Sequence, residues 1–461
     1  MKPYPEYKPT GLAWLPEIPK HWKSAKIREL FTERIQKVSD KEFAPLSVSK
    51  GGIVPQIATV AKTDNGDNRK RVKVGDFVIN SRSDRKGSSG ISAYDGSVSL
   101  INIVLNPRAK ENGRFLHYLL KSIPFTEEYY RNGRGIVADL WTTRYSEMKT
   151  ISVPVPPADE QAQIVRYLDA MTAKINKLIR AKKRQIALLQ EQKQAIINQA
   201  VTRGLDPEVE LKDSGIDWLG PIPKHWGMRT VKSISKILPG YAFASDEFSQ
   251  QGKYLLLRGI NIGVSGINKE TAVYWNKEIT GLAHFLLQEN DLVLGMDRPW
   301  ISGGLRISLV TSTDLPCLLV QRVCRIRANE NCFNKFLLYA LRSDIFLNTL
   351  SSETSGISVP HISTSQVGSV KIPFPSLAEQ NEIVTFIESQ LTYIENRINI
   401  IHDGIFLIRE YKNSLISKVV TGKVDVRNIA VEAVSPEDLA PSDDPDESEE
   451  QDSLTPEESE E

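Results

Sequence analysis

The sequence predicts an α+β chain built twice on one plan: a short leader, a domain of mixed strands and helices, then a long helix. Three observations predict it. The nonapeptide "WLPEIPKHW" (residues 14 to 22) returns almost unchanged as "WLGPIPKHW" (218 to 226). The segment "VPVPPADEQAQIVRYL" (153 to 168) returns as "IPFPSLAEQNEIVTFI" (372 to 387). Between these landmarks lie short runs of strand-forming residues with one short helical run in each copy.

The leader extends upstream, since "PEYKPTGLAW" and "VELKDSGIDW" keep Glu6/Glu210, Lys8/Lys212, Gly11/Gly215 and Trp14/Trp218 in one register. Trp14, Trp22, Trp218 and Trp226 are large enough to anchor a core. His21 and His225, between Lys and Trp, are expected to pack the leader rather than to catalyse.

The middles, about 23 to 150 and 227 to 369, are the most diverged parts. Strand-like runs are "DFVINS" and "SLINIVL" in the first, "DLVLGM" and "LLVQRVCRI" in the second. The helical runs are "GRFLHYLLKS" and "NKFLLYALRS". Each middle carries a basic loop after a strand, "NSRSDRKGSSG" (80 to 90) and "GMDRPWISGGLR" (295 to 306). A second loop precedes each long helix, "RNGRGIVADLWTTR" (131 to 144) and "SETSGISVPHIST" (352 to 364).

The long helices follow from composition and period. Residues 158 to 203 contain neither Gly nor Pro, and Ile164, Leu168, Met171, Ile175, Leu178, Ile186, Leu189, Ile196 and Ala200 recur at steps of three and four. The copy keeps the stripe at Ile383, Ile387, Ile394 and Leu415, and the spacing of Ser376 to Glu379 fits a capping box. A helix of this length spans roughly 65 Å, and one apolar stripe on so long a rod needs a partner, for which its own copy is the natural candidate. Gly404 is the one residue that weakens the second helix and could bend it.

Composition bounds the function. Residues 428 to 461 hold 14 acids and no base, so the rest of the chain has 58 basic against 43 acidic residues, a body of +15 on a tail of −14. The tail is expected to be disordered, and the body suits a polyanion. No apolar run approaches the roughly 18 residues of a membrane helix, and no apolar signal segment follows Met1, which suggests a cytoplasmic chain. Cys317, Cys324 and Cys332 match neither a disulfide framework nor a zinc knuckle and read as buried thiols. A phosphate-binding G-x-x-x-x-G-K-[ST] loop, an Asn/Asp-Pro-Pro-Tyr methyltransferase motif and a nuclease cluster of the P-D…(D/E)-x-K type are all missing.

Alternation of leader, variable domain and "P-x-P-P/S-x-x-E-Q" helix, twice over residues 3 to 427, resembles the specificity subunit of type I restriction-modification enzymes. The resemblance implies two pseudo-symmetric target recognition domains joined by two antiparallel helices that form a coiled-coil spacer. The expected division is 1–152 and 207–371 for the recognition domains with their leaders, 153–206 and 372–427 for the helices, and 428–461 for the tail. It also implies a non-catalytic subunit that reads a bipartite, asymmetric double-stranded DNA target for adenine methylation and restriction. Partners would be methyltransferase subunits, two in number, and restriction-translocase subunits, with no membrane. S-adenosylmethionine, ATP and Mg2+ would be used by those partners, and no cofactor or metal by this chain. Candidate DNA-binding residues are Arg82, Arg85, Lys86, Arg131 and Arg134 in the first domain and Arg258, Asn261, Arg298 and His361 in the second. The alternatives are a fused restriction enzyme fragment, against which the missing motifs count, and a standalone coiled-coil DNA-binding or scaffold protein.

Overall fold

A computed structural model of the chain describes residues 2–56, 66–108, 112–135, 141–301, 303–353 and 361–435. The acidic tail from 436 onward and parts of both pre-helix loops, 136–140 and 354–360, lie outside the described residues. Two compact units are present: residues 1–184 with 401–461, and residues 185–400. The sequential division gave each long helix a segment of its own, whereas these units each take part of both helices.

In the first unit, "DFVINS" and "SLINIVL" supply the strands Phe77–Asn80 and Asn102–Pro107, which pair antiparallel with Phe77 opposite Leu105 and Ile79 opposite Ile103. Every residue of Phe77–Asn80 is buried, and the apolar run Phe77 to Ile79 suits a strand covered on both faces. Ser89–Ile91 and Phe31–Glu33 complete a four-stranded sheet. The helix Gly113–Lys121 lays Phe115, Leu116, Leu119 and Leu120 into the core, and the Asn112 side chain caps it by accepting from the backbone of Arg114 and Phe115.

The second unit repeats this order with different residues. Its sheet runs Ile307–Leu309, Leu292–Gly295, Val323–Ala328, Ser235–Pro239, and the helix Asn334–Arg342 occupies the place of Gly113–Lys121. Its core joins Trp226, Leu292, Leu294 and Phe336 to Ile197, Val201, Ile383 and Ile387 of the long helices. Cys317, Cys324 and Cys332 are free and buried, and burial pushes each thiol up to about 12.

The long helices are Ala158–Arg203 and Leu377–Val420. The second runs through Gly404 without interruption, and the Ser376 hydroxyl accepts from the Glu379 amide at its start. Within the first unit the helices pack antiparallel, with Lys412 Nζ donating to Asn176 Oδ1 at 2.9 Å and Gln163 Nε2 to the Val426 carbonyl at 3.0 Å. Within the second unit Lys193 meets Glu395 at 2.7 Å. Asn176 and Glu395 are equivalent positions of the repeat, as are Lys193 and Lys412, so one polar position is built into both copies. Leu178 does not belong to the buried stripe: it is 46% exposed, and Ile179 takes the inward place at 5%. No helix among the described residues is long and apolar enough to cross a membrane.

The doubled motifs meet at the helix ends. In the first unit Glu160 accepts from Trp22 Nε1 at 2.9 Å and from the Tyr4 hydroxyl at 2.6 Å, while its other oxygen lies 2.7 Å from His21 Nε2. In the second, Glu379 accepts from Trp226 Nε1 at 2.9 Å and lies 3.1 Å from His225 Nε2. The adjacent glutamines act alike. Gln161 accepts from the Asn112 amide and donates to the Pro156 carbonyl; Gln380 accepts from the Phe333 amide and donates to that of Pro375. The "E-Q" pair therefore ties leader and domain helix to the start of a long helix. Trp22 and Trp226 are fully buried, as their size suggested, but Trp14 is only partly buried and Trp218 is exposed, so the outer pair does not anchor the core.

Candidate nucleic-acid interface

Both units place the basic loop after the central strand beside the loop before the long helix. In the first unit Arg82 forms an antiparallel bridge with Thr142, and the Thr143 amide donates to the Ser81 carbonyl at 2.9 Å. In the second, Asp297 forms the bridge with His361, and the Ile362 amide donates to the Met296 carbonyl at 2.9 Å. One bridge and one backbone hydrogen bond thus recur at the same place in both units, while the side chains presented there are unrelated. Each strand entering this junction starts from a buried aspartate held by an arginine: Asp76 by Arg34 at 2.7 Å and Asp291 by Arg327 at 2.6 Å.

The five candidates of the first unit gather at this junction. Arg134 also bridges to Thr142, and the Tyr130 hydroxyl, on the helix Ile123–Arg131 that leads into the second loop, donates to the carbonyls of Asn80 and Arg85 in the first. Lys86 pairs with Glu127 at 2.6 Å, Arg82 with Asp84 at 3.2 Å, and Arg134, 85% exposed, reaches Glu147 at 3.7 Å. Exposed pairs of this kind contribute roughly 0–1 kcal/mol, so an arriving phosphate can replace the carboxylate at little cost. Arg131 is more committed, with Nε and Nη2 both on Glu128 at 2.8 and 2.9 Å. The Ser146 hydroxyl first of all, with Arg134 and the Arg144 amide, holds the Glu147 carboxyl below its usual range in spite of some burial.

The candidates of the second unit separate. Arg298 and His361 are neighbours of the junction: His361 Nδ1 lies 2.6 Å from Asp297 Oδ1, and Arg298 is exposed with a left-handed backbone at φ +40°. Among the described residues the Arg298 guanidinium makes no hydrogen bond or ion pair. Asn261 does not face outward. It is 1% exposed, its oxygen accepts from the Arg258 amide and its nitrogen donates to the Asn268 carbonyl, so its amide is spent inside the loop and the expectation that it reads DNA is corrected. Arg258 is half-buried, donates to the Thr271 carbonyl, and has its pKa pushed down by burial, which suits a strut better than a reader.

Two arginines escaped the sequence reading. Arg306 donates to the carbonyls of Ile262 at 3.1 Å and Asp297 at 3.0 Å, bracing the junction from inside. Arg322 is 70% exposed and donates to Asp297 Oδ2 at 2.6 Å. Burial raises the Asp297 carboxyl, yet the hydrogen bonds from His361 and Arg322 outweigh it and hold the group below its ordinary range. For Arg322 the sign in the sequence was the Gln321-Arg322 pair that breaks the apolar run "LLVQRVCRI", which Arg325 breaks again.

The description "Type I restriction modification DNA specificity domain" belongs to the family model that matches residues 19–188 and 223–401. The specificity subunit of the type I restriction enzyme MjaVIII of Methanocaldococcus jannaschii is 31% identical over 286 residues, 61% of this chain and 64% of that protein. The EcoAI specificity subunit of Escherichia coli is 37% identical over 166 residues, 36% of this chain and 28% of that protein. Alignment with these two relatives thus spans less than two thirds of either one's length. A solved structure described as the structural basis of complex assembly and conformational transition of the type I R-M system superposes with a TM-score of 0.61. That match covers 88% of this chain and 99% of the other at 14% identity, and it shows the fold alone. Two matched segments, each carrying one copy of the loop junction, cover most of the sequence, and the chain belongs to the type I restriction-modification DNA specificity family.

Proposed function

We propose that each unit reads one half of a bipartite, asymmetric double-stranded DNA target, and that the chain directs adenine methylation and restriction by separate subunits without catalysing either. The observation that carries this reading is the loop junction, which keeps the same bridge and backbone hydrogen bond in both units but presents different side chains, as suits two readers of unlike half-sites. Exposed Arg and Lys donors suit phosphates and guanine edges, and an excess of bases over acids outside the tail suits the duplex as a whole. Two methyltransferase subunits and restriction-translocase subunits would bring S-adenosylmethionine, ATP and Mg2+, all in the cytoplasm. The test is a domain exchange. Replacing residues 23 to 150 with the equivalent domain of a relative, in the complex with a cognate methyltransferase subunit, should change one half of the methylated motif and keep the other. If both halves change together, the units are not independent readers; a defined site bound tightly by the chain alone would favour a standalone DNA-binding protein.

A further inference from the structure

We propose that Arg322 reads a guanine in the half-site of the second unit and that Asp297 is its positioning residue, an inference that rests on the DNA-reading function above.

Arg322 sits in the turn between the strands Cys317–Leu319 and Val323–Ala328 with a left-handed backbone, φ +65°. Arg298, across the junction, is left-handed too. Such a conformation costs a residue with a Cβ about 1–2 kcal/mol, and strain of this kind persists where surrounding contacts impose it, which is commonly at ligand sites. Two contacts impose it on Arg322. The Arg322 carbonyl accepts from the Met296 amide at 2.9 Å, and its Nη1 donates to Asp297 Oδ2 at 2.6 Å. Asp297 is itself fixed, because His361 occupies its other oxygen and Arg306 donates to its carbonyl.

The geometry of the guanidinium separates base from phosphate. Only Nη1 is engaged, so the edge formed by Nε and Nη2 remains exposed as a fork of two parallel N–H donors. That fork matches O6 and N7 of guanine in the major groove. Unlike the carboxylates paired in the first unit, Asp297 is held in place by His361 and Arg306, so its charge stays beside the guanidinium and repels a phosphate, while a neutral base edge is not penalised in this way. A phosphate contact also needs no fixed orientation, since a lysine serves it as a point charge. Holding an arginine rotamer in advance removes much of the entropy that binding would otherwise cost.

The experiment selects bound duplexes from a randomised pool with the full chain in complex with a cognate methyltransferase subunit. Arg322→Ala should lower affinity for the wild-type site about 10- to 100-fold and relax preference at one G·C pair of one half-site. Arg322→Lys should not restore it, and Asp297→Asn should relax the same position more weakly. Arg322→Gly, which suits the left-handed backbone, must behave as the Ala variant does, so that a folding defect is not mistaken for lost contact. Equal weakening on all sequences with rescue by lysine would overturn the proposal in favour of a phosphate contact. An unchanged motif in the variants, with a wild-type complex that selects a bipartite motif, would overturn this inference alone. A wild-type complex that selects no motif would overturn the function on which it rests.

Discussion

Trp22 donates its indole proton to Glu160 across 2.9 Å, and Trp226 does the same to Glu379 at the same distance, so both copies of the leader are held by the first glutamate of a long helix. The two clamps differ in environment. Glu160 is 6% exposed with three partners, and burial together with its hydrogen bond pushes the Tyr4 hydroxyl well above the usual tyrosine range. Glu379 is 26% exposed with two partners. Glu160→Ala leaves buried donors without an acceptor and should cost about 2–4 kcal/mol, against about 1–2 for Glu379→Ala. Urea denaturation of the two variants checks the order.

The helix ends give a second unequal pair. Gly204 and Gly422 are left-handed, at φ +75° and +76°, and each lies under a leader tryptophan. A Cβ at Gly422 would stand 2.4 Å from Pro19 Cδ and 3.1 Å from Trp22, whereas one at Gly204 would meet only Trp226, at 3.2 Å, that closely. Gly204→Ala should therefore cost about 1–2 kcal/mol, the left-handed penalty, and Gly422→Ala more than that because the leader must also shift. Thermal melting should show the larger drop for Gly422→Ala, and equal drops would count against the packing argument.

His117 predicts a pH dependence. The residue is partly exposed, but its ring packs edge-on against Phe77 and Tyr118 and its Nδ1 accepts from the Ile91 amide. Burial first, then the charges of Lys121 and Arg114, lower its pKa from 6.5 to about 3. The unfolded chain takes up this proton below 6.5 while the folded chain stays neutral down to about 3, so stability is lost as pH falls through that window. His117→Gln should flatten the fall of the denaturation midpoint between pH 6.5 and 4, and a parallel curve for variant and wild type would refute the assignment.

The helix pair carries a prediction about specificity against stability. Burial lowers the pKa of Lys412, and Asn176, 6% exposed, is its acceptor. Lys412→Met removes both the desolvated charge and its need for a partner, and should be neutral or stabilising by up to about 2 kcal/mol. Asn176→Ala keeps the charge and removes the acceptor, and should cost about 1–3 kcal/mol. Lys193→Ala, at a more exposed pair, should change stability by less than about 1 kcal/mol. Denaturant melts of the three variants decide.

At the candidate interface, Arg298→Gly separates folding from reading. Its left-handed backbone suits glycine, so stability should stay level or rise by up to about 1 kcal/mol. Binding to the cognate duplex should nonetheless weaken by about 1–3 kcal/mol at one position of one half-site, if the side chain meets a base. Binding assays on single-substitution duplexes distinguish this from a uniform loss, which would mark a phosphate contact.

The sequence by itself determined the doubled plan, the two long helices and the two loops that meet at each junction, because each is a local signal. An apolar period of three to four without Gly or Pro specifies a helix whatever surrounds it, and Trp or Glu at a repeated spacing is visible without coordinates. It also pointed to Arg298 and His361, which lie in loops flanked by recognisable strands. What only the tertiary structure decided was which polar groups are spent inside. Asn261 looks like a reader three residues after Arg258, yet its amide closes a turn between Arg258 and Asn268. Arg322 looks like an interruption of a buried strand, yet a turn carries it outward to Asp297, some 25 residues away in the chain. Leu178 and Ile179 are adjacent and both apolar, and only the packing of the helix chooses the inner one. In each case the deciding partner is distant in sequence, so hydrogen-bond satisfaction and burial, rather than local propensity, set the outcome.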